Sequence, residues 1–288
     1  MHARGLDHVV WAVRDLDAAA AHLERLGFTV TPRARHPWGT ENRLVQLNGF
    51  FIEVLTVGAD ADIPAPSDTV FSFGAHNRDF LARGEGASML VTESRDPAAD
   101  RAAFARAGLA VFEPFSFERE QRRADGSVRK VGFDLTFTRD PDDPALGFFT
   151  CFNRYPENFW SPEYQAHANG VRDLAAVVIV CEDPADHHIF YSAFTGVREM
   201  RATSLGITIS TPRGDVRLMP RAIYRSLFGE EPQPLGDGKA RVQALVFGAG
   251  ARDAVASACA RSGIESLSTR EGLVVPARGG HGLSLVFP

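Results

Sequence analysis

One pattern of secondary structure occurs four times along the 288-residue chain, and it constrains the fold more than any other feature. Each copy begins with an apolar run typical of a buried strand, and these runs lie at residues 8–13, 87–92, 174–180 and 242–247. A helix-like segment follows each run and ends near a glycine, and two or three further strand-like runs come next. The sequence therefore predicts an α+β fold of four βαβββ modules.

Capping residues mark the predicted helices. Asp15, Asp96 and Asp183 each precede a helix-like segment, and Asp is a favoured N-cap because its side chain accepts a hydrogen bond from a free backbone N–H. A proline follows Asp96 and Asp183, at the position where helices tolerate it best. The predicted C-terminal ends are at four glycines, Gly27, Gly108, Gly196 and Gly263.

Longer segments separate the modules. Residues 58–86 link the first and second modules, 155–170 the second and third, and 222–238 the third and fourth. We place the main boundary in the second of these linkers. The expected domains are residues 1–158, with modules one and two, and residues 159–288, with modules three and four.

The charge and the apolar stretches of the chain argue against nucleic acid and membrane as partners. A formal net charge of −5 does not give the basic surface of a nucleic-acid-binding protein. The charged run at residues 119–123 mixes both signs, and we interpret it as a solvated hairpin. No apolar stretch is long enough to span a membrane, so a membrane partner is not expected either.

Cysteine content and the N-terminal residues indicate a cytoplasmic location. Cys151, Cys181 and Cys259 are far apart, and they predict neither a disulfide framework nor a metal-binding pair. The N-terminus lacks a basic segment followed by an apolar run, so no signal peptide is predicted.

His8 and Glu53 are costly residues to bury without a function. His8 lies in the first apolar run, and Glu53 interrupts the apolar run at residues 50–55. Alternation along a strand places Glu53 on the same face as Phe51 and Leu55, where a carboxylate favours a metal or another cation. The alternative is a structural core histidine and a glutamate that faces solvent.

Four βαβββ modules, with a histidine in the first strand of one module and a glutamate in its fourth, resemble the vicinal oxygen chelate superfamily. This superfamily includes glyoxalase I, extradiol dioxygenases, and fosfomycin- and bleomycin-resistance proteins. The run from His36 to Asn42, His-Pro-Trp-Gly-Thr-Glu-Asn, resembles the His-x-x-Gly-Thr-x-Asn motif of the glyoxalase-like branch. The resemblance implies two cup-shaped, curled mixed sheets, each built by a pair of modules around a divalent metal or a ligand.

The resemblance also implies metal ligands, and the chain departs from the family's full set. His8 and Glu53 match the first-strand and fourth-strand ligands. Met89 stands opposite His8 in the second module, and Thr150 or Cys151 stands where a second carboxylate is expected. Modules three and four offer Ala176 and Ala244 in place of histidine, so the second domain is expected to be degenerate.

A metal centre needs a further protein ligand. Two histidines and one carboxylate form an open site for non-haem Fe(II), and His36, His76 and His167 are the candidates for the second histidine. We select His36, since it belongs to the motif-like run. The expected metal ligands are His8, His36 and Glu53, and the metal is Fe, Zn, Mn or Ni.

Two functions remain open from the sequence. In the first, the protein is a lyase, isomerase or ring-cleaving dioxygenase, with His8 and Glu53 as catalytic residues and a small oxygen-bearing substrate. In the second, it only binds and sequesters a small molecule, as bleomycin-resistance proteins do. The second domain could support the first or form the face of a homodimer. The expected substrate-binding residues are Trp11, Trp38, Thr40, Asn42, Phe51, Phe149 and His167.

Overall fold

The computed structural model describes residues 2–122, 127–235 and 238–288, and within these ranges the strands form two eight-stranded mixed sheets. The strands of the first sheet are β1 (Leu6–Ala12), β2 (Ala34–Arg35), β3 (Thr40–Gln46), β4 (Phe51–Val57), β5 (Gly86–Glu93), β6 (Phe115–Arg122), β7 (Val128–Asp140) and β8 (Asp143–Asn153). Those of the second are β9 (Leu174–Cys181), β10 (Arg201–Thr203), β11 (Gly206–Ser210), β12 (Asp215–Pro220), β13 (Ala240–Phe247), β14 (Leu267–Thr269), β15 (Gly272–Val275) and β16 (Ser284–Phe287).

The strand order shows how the modules pair. The first sheet runs β2-β3-β4-β1-β5-β8-β7-β6, so the first strands of modules one and two, β1 and β5, are antiparallel neighbours at its centre. The second sheet repeats this order with β9 and β13 at its centre. Modules therefore pair one with two and three with four within the chain. The predicted fold of four modules in two curled sheets is confirmed.

Three of the four module helices begin at the predicted capping residues, and the fourth begins after Ala251 without a side-chain cap. These helices are α1 (Leu16–Arg25), α3 (Pro97–Arg106), α6 (Pro184–Thr195) and α8 (Arg252–Ser262). The side chain of Asp15 accepts a hydrogen bond from Ala18 N at 2.9 Å, and Asp96 caps α3 in the same way at 3.0 Å. Gly196 ends α6 in the left-handed conformation that glycine adopts readily.

The linkers contain four more helices, which the sequence interpretation had left as connecting segments. They are α2 (Phe73–Arg83), α4 (Pro156–Phe159), α5 (Pro162–Gln165) and α7 (Arg221–Phe228). Tyr224 and Phe228 of α7 are fully buried, and they pack in one cluster with Val178 and Val246 of the second sheet. The third linker also includes residues 236–237, which lie outside the described ranges. None of the helices in the described part of the chain is long and apolar enough to cross a bilayer.

The two sheets share a hydrophobic core. One cluster includes buried residues from both sheets and from α1, α3, α6 and α8. Phe104 of α3 stacks on Phe194 of α6 with 6.2 Å between ring centroids, and buried Arg4 binds Asp100 across 2.7 Å while it donates to the Phe194 carbonyl. Because the core is continuous, the division at residues 158 and 159 stays a prediction.

Candidate functional site

The cup of the first sheet places His8 and Glu53 on one face. Strands β1 and β4 are parallel neighbours, with His8 paired to Phe51 and Val10 paired to Glu53. Residues two apart on a strand share a face, so His8 and Val10 lie beside Phe51 and Glu53. The opposite face of β1 belongs to the shared core.

Two imidazoles converge on the Glu53 carboxylate. His8 Nε2 lies 4.0 Å from Glu53 Oε2, and His36 Nε2 lies 3.7 Å from Glu53 Oε1. His36 comes from the turn between β2 and β3, whereas the other two residues come from central strands. All three side chains are buried.

The remaining polar atoms of this trio are held by neighbouring residues. Asp7 Oδ1 lies 2.5 Å from His8 Nδ1, and Thr40 Oγ1 lies 2.9 Å from His36 Nδ1. The side-chain amide of Asn42 donates to Glu53 Oε1 at 2.5 Å. Each imidazole therefore uses Nδ1 for support and turns Nε2 toward the carboxylate.

Burial shifts the pKa values of His36 and Glu53. Burial, together with the charges of Arg119 and His8, lowers the pKa of His36 to about 3. His36 is therefore neutral at physiological pH. Burial raises the pKa of Glu53, and the nearby His8, the Asn42 hydrogen bond and Arg119 oppose this increase.

Aromatic rings fix the orientation of both imidazoles. His8 stacks on Phe51 with centroids 4.2 Å apart, and the edge of Phe149 approaches at 5.4 Å. His36 stacks on Trp38 at 4.7 Å. Gly39 permits this turn, because it has a φ of +92° and a Cβ added there would lie 2.4 Å from the Ala61 Cα.

A small cavity lies over the trio and opens toward a larger groove. The inner cavity has a volume of about 40 Å³, which is room for about three water-sized groups. The outer groove has a volume of about 540 Å³ and a mainly polar wall that includes Gln46, Ser161 and Tyr164. Asn42 and Arg119 line both spaces, so they mark the point where the two meet.

Comparison with known proteins places the chain in a family. The family model described as glyoxalase-like domain matches residues 6–195, about two thirds of the chain. The chain belongs to the glyoxalase-like domain family. Its fold is that of the vicinal oxygen chelate superfamily, and no curated protein matches the glyoxalase-like chain.

Solved structures share the fold at low sequence identity. A hypothetical protein from Staphylococcus aureus is similar, with a TM-score of 0.67, 12% identity and 99% of each chain covered. The 2,2',3-trihydroxybiphenyl 1,2-dioxygenase of Sphingomonas wittichii strain RW1 has a TM-score of 0.53 and 14% identity, and covers 100% of this chain and 91% of its own. A triple mutant of 4-hydroxymandelate synthase from Streptomyces coelicolor has a TM-score of 0.57 and 11% identity, with 99% and 92% covered.

Three of the expected substrate-binding residues of the glyoxalase-like chain lie elsewhere. Trp11 is on the opposite face of β1, fully buried in the shared core, and its indole N–H donates to the His281 carbonyl at 2.9 Å. His167 accepts from Thr29 N at 3.0 Å and pairs with the Gln46 carbonyl at 2.9 Å, which ties the second linker to the first sheet. Thr40 supports His36. The cavity wall contains the other four, Trp38, Asn42, Phe51 and Phe149.

The sequence interpretation missed two residues that matter to the site. Asp7 was not singled out, although it precedes His8 directly. Arg119 was assigned to a solvated hairpin, but it is half-buried and lines the cavity, and residue 123 of that run lies outside the described residues. The alternation of residues along β6 could have indicated the position of Arg119. Phe115, Phe117 and Arg119 share the inner face of this strand, and the residues between them are exposed.

Asp7 and His8 belong to a second group of metal-ligating side chains. One ligand atom each from Asp7, His8 and Cys151 lies within 4.8 Å of the others. Burial raises the pKa of the Cys151 thiol well above its ordinary value, and the carboxylates of Asp7 and Glu53 raise it further. A protonated thiol is a poor metal ligand, so a metal held by this group would have to displace the proton of Cys151.

Proposed function

We propose that this glyoxalase-like protein is a divalent-metal-dependent enzyme that acts on a small oxygen-bearing substrate in the cup of the first sheet. The observation that carries the proposal is the convergence of His8 and His36 on the Glu53 carboxylate in a buried aromatic cavity. Two histidines and one carboxylate with open positions are typical of a catalytic metal site.

The three residues supply the donor types that a divalent ion binds, two imidazole nitrogens and a carboxylate. Ligand atoms at about 2.1 Å from one ion lie about 3.0–3.4 Å from each other, and the observed separations are 3.7 and 4.0 Å. These two distances end on different oxygens of Glu53, and one ligand atom from each of the three residues does not bring all three within 4.8 Å of one another. The three side chains would therefore have to rotate toward a common point to hold an ion. His36 is neutral, as a ligand must be, and Asp7 supports His8 in the way that carboxylates support metal-binding histidines.

The chemistry follows from this arrangement. A divalent ion held by the trio would polarise a substrate oxygen and stabilise negative charge that develops on it. Glu53 is suited to accept a proton from the substrate, because burial raises its pKa toward the range of an effective base. Asn42 fixes one carboxylate oxygen, and the aromatic wall limits the entry of water. A lyase, isomerase or dioxygenase reaction is compatible with these roles.

The second candidate is metal-free binding of a small molecule. Metal-free binding is favoured by the second module, because the side chains that it contributes to the hydrophobic cluster inside the cup, such as Met89 and Val91, are apolar. A cup of this kind holds a ligand by shape and by stacking on Trp38 and Phe51, without chemistry.

Metal content separates the two functions. We expect wild-type protein, stripped with chelator and reloaded with Fe(II), Zn, Mn or Ni in turn, to retain about one ion per chain by plasma mass spectrometry. His8→Ala, His36→Ala and Glu53→Gln should each lose it. His76→Ala is the control, because His76 lies in the same half but pairs with the Ser88 carbonyl. Wild type without metal, or three variants that all keep it, would refute the metal site and favour the binding function.

A further inference from the structure

Arg119 lies where the inner cavity meets the outer groove, and its positive charge is not balanced by a close anion among the described residues. It lines both the inner cavity and the outer groove. Its Nε is buried and has no hydrogen-bond partner in the part of the chain that the structure describes. A guanidinium keeps its charge and offers five N–H donors, so a partly buried one is costly unless an anion accepts from it.

Glu53 does not meet this need. It is the charge that stabilises the Arg119 cation, but its carboxylate oxygens already face Asn42, His36 and His8. The attraction between Arg119 and Glu53 therefore acts over a longer distance. An anion placed between the groove and the trio would pair with the guanidinium directly.

Two other arginines of the outer groove show the contrast. Arg33 pairs with Asp17 at 2.7 Å and also with Glu41. Arg35 pairs with Asp60 at 2.9 Å. These arginines have acidic partners from the protein itself, whereas the two hydrophobic neighbours of Arg119 on the inner face of β6, Phe115 and Phe117, offer none.

The sizes of the two spaces limit what can bind. The inner cavity of about 40 Å³ accommodates one small functional group beside the trio. The outer groove of about 540 Å³ accommodates the rest of the molecule. A group that bridges the two spaces must pass Arg119, and the planar guanidinium matches a planar carboxylate through two parallel hydrogen bonds.

We propose that the substrate is a small carboxylic acid whose carboxylate pairs with Arg119, while an adjacent hydroxyl or carbonyl oxygen reaches His8, His36 and Glu53. The inference rests on the proposed function for the role of that second oxygen. Pairing of the carboxylate with Arg119 does not require a metal, so the two proposals can fail separately. Arg119 acts here as a specificity-determining residue.

The test compares acids with amides of the same shape. Chelator-treated protein at pH 7 is titrated with lactate and lactamide, and with salicylate and salicylamide, at constant ionic strength. Dissociation constants follow from the increase in melting temperature with concentration. We expect at least one acid to bind wild type about tenfold or more tightly than its amide, because charge-assisted bidentate hydrogen bonds are lost in the amide.

Variants then assign the preference to one residue. Arg119→Gln should remove the difference between acid and amide, and Arg119→Lys should keep part of it, because lysine retains the charge but not the planar fork. Arg35→Met is the matched control, since Arg35 lines the same groove with an acidic partner, and it should keep the full difference. Metal content of Arg119→Gln should equal that of wild type.

Either of two results would overturn the inference. One is equal binding of acid and amide by wild type for both pairs, including no binding of either, which needs no variant to interpret. The other is an acid preference that survives in Arg119→Gln. A preference that depends on Arg119 in a protein that binds no metal would uphold the carboxylate site and reject only the proposed metal chemistry.

Discussion

Asp7 controls the chemistry of a neighbour although it lies outside the cavity wall. Its carboxylate is 2.5 Å from His8 Nδ1, and a carboxylate anion can only accept a hydrogen bond. Nδ1 therefore carries a proton, and in the neutral imidazole it is Nε2 that has the free lone pair toward the space beside Glu53. The arrangement also makes the imidazole a stronger ligand.

A single substitution tests this positioning role. We expect Asp7→Asn to lower the affinity for Zn²⁺ about 10–100-fold, because an amide that donates to Nδ1 would favour the tautomer with the proton on Nε2. Competition with a fluorescent chelator measures the affinity. Asp62→Asn, at an exposed position, is the control. Unchanged affinity in Asp7→Asn would show that Asp7 does not set the tautomer of His8.

Gly39 shows a different contribution of a single residue. Its positive φ and its close approach to Ala61 allow the turn that carries His36 and Trp38 back over the cup. The His-x-x-Gly-Thr-x-Asn motif in the sequence includes both Gly39 and His36. It did not show that His36 would reach within 3.7 Å of Glu53, because that distance depends on the curl of the sheet.

At the scale of elements, the helix caps are local features that the sequence determines directly. Asp15 is exposed, and its side chain is 2.9 Å from the N–H of Ala18 in the first turn of α1. The hydrogen bond satisfies a backbone donor that the helix itself leaves free. The same hydrogen bond recurs at Asp96, and this repeated cap is one reason why the repeat could be recognised in the sequence.

Removal of one cap gives a measurable loss of stability. We expect Asp15→Ala to lower the free energy of unfolding by about 1 kcal/mol, while Asp15→Asn stays within a few tenths of a kcal/mol of wild type. Urea denaturation followed by circular dichroism compares the three proteins. A loss of equal size in both variants would indicate that the charge, and not the hydrogen bond, provides the stabilisation.

The linkers show where element prediction failed. Residues 58–86 were interpreted as a connection, yet α2 lies there and its Phe73 forms part of the cavity wall. Helix α7 likewise fills the cup of the second sheet with Tyr224 and Phe228. The prolines and glycines of these two linkers indicated loops, although the apolar side chains of both helices pack on the neighbouring sheet.

At the scale of the whole molecule, a buried polar cluster joins the two sheets. His187 of α6 pairs with Asp140 at 2.9 Å, and Asp143 accepts from Ala240 N of the second sheet at 3.1 Å. Burial raises the pKa of Asp143 to about 6, against the hydrogen bonds from Ala145 and Ala240. Burial opposes protonation of His187, but the hydrogen bond and charge of Asp140 outweigh it and raise the pKa of His187.

This cluster makes the stability depend on pH in a defined direction. Asp143 has an ordinary pKa of 3.8 and a folded value of about 6, so its contribution is complete below pH 3.8 and is lost as pH rises through about 6. The raised pKa of His187 acts in the same direction above pH 6.5. Buried His22, with a pKa lowered by burial to about 4, acts in the opposite direction as pH falls below 6.5.

Comparison with a variant isolates the Asp143 contribution. We expect the free energy of unfolding of wild type relative to Asp143→Asn to be greater at pH 4.5 than at pH 7.5, by on the order of 2 kcal/mol. Urea denaturation at both pH values measures it, and the contribution of His22 cancels in the difference. Asp142→Asn, exposed and in the same turn, is the control. If the free energies of unfolding of wild type and Asp143→Asn differ by the same amount at both pH values, the raised pKa of Asp143 is contradicted.

The sequence by itself determined the four βαβββ modules and the aspartate caps of three module helices, because periodicity and capping depend on residues near one another along the chain. Only the tertiary structure decided that modules pair within the chain, that Trp11 faces the core, and that Arg119 turns inward. It also decided that His8, His36 and Glu53 meet. Such distances depend on which face of each strand is buried and on how far the sheet curls, and these follow from packing between residues far apart in sequence.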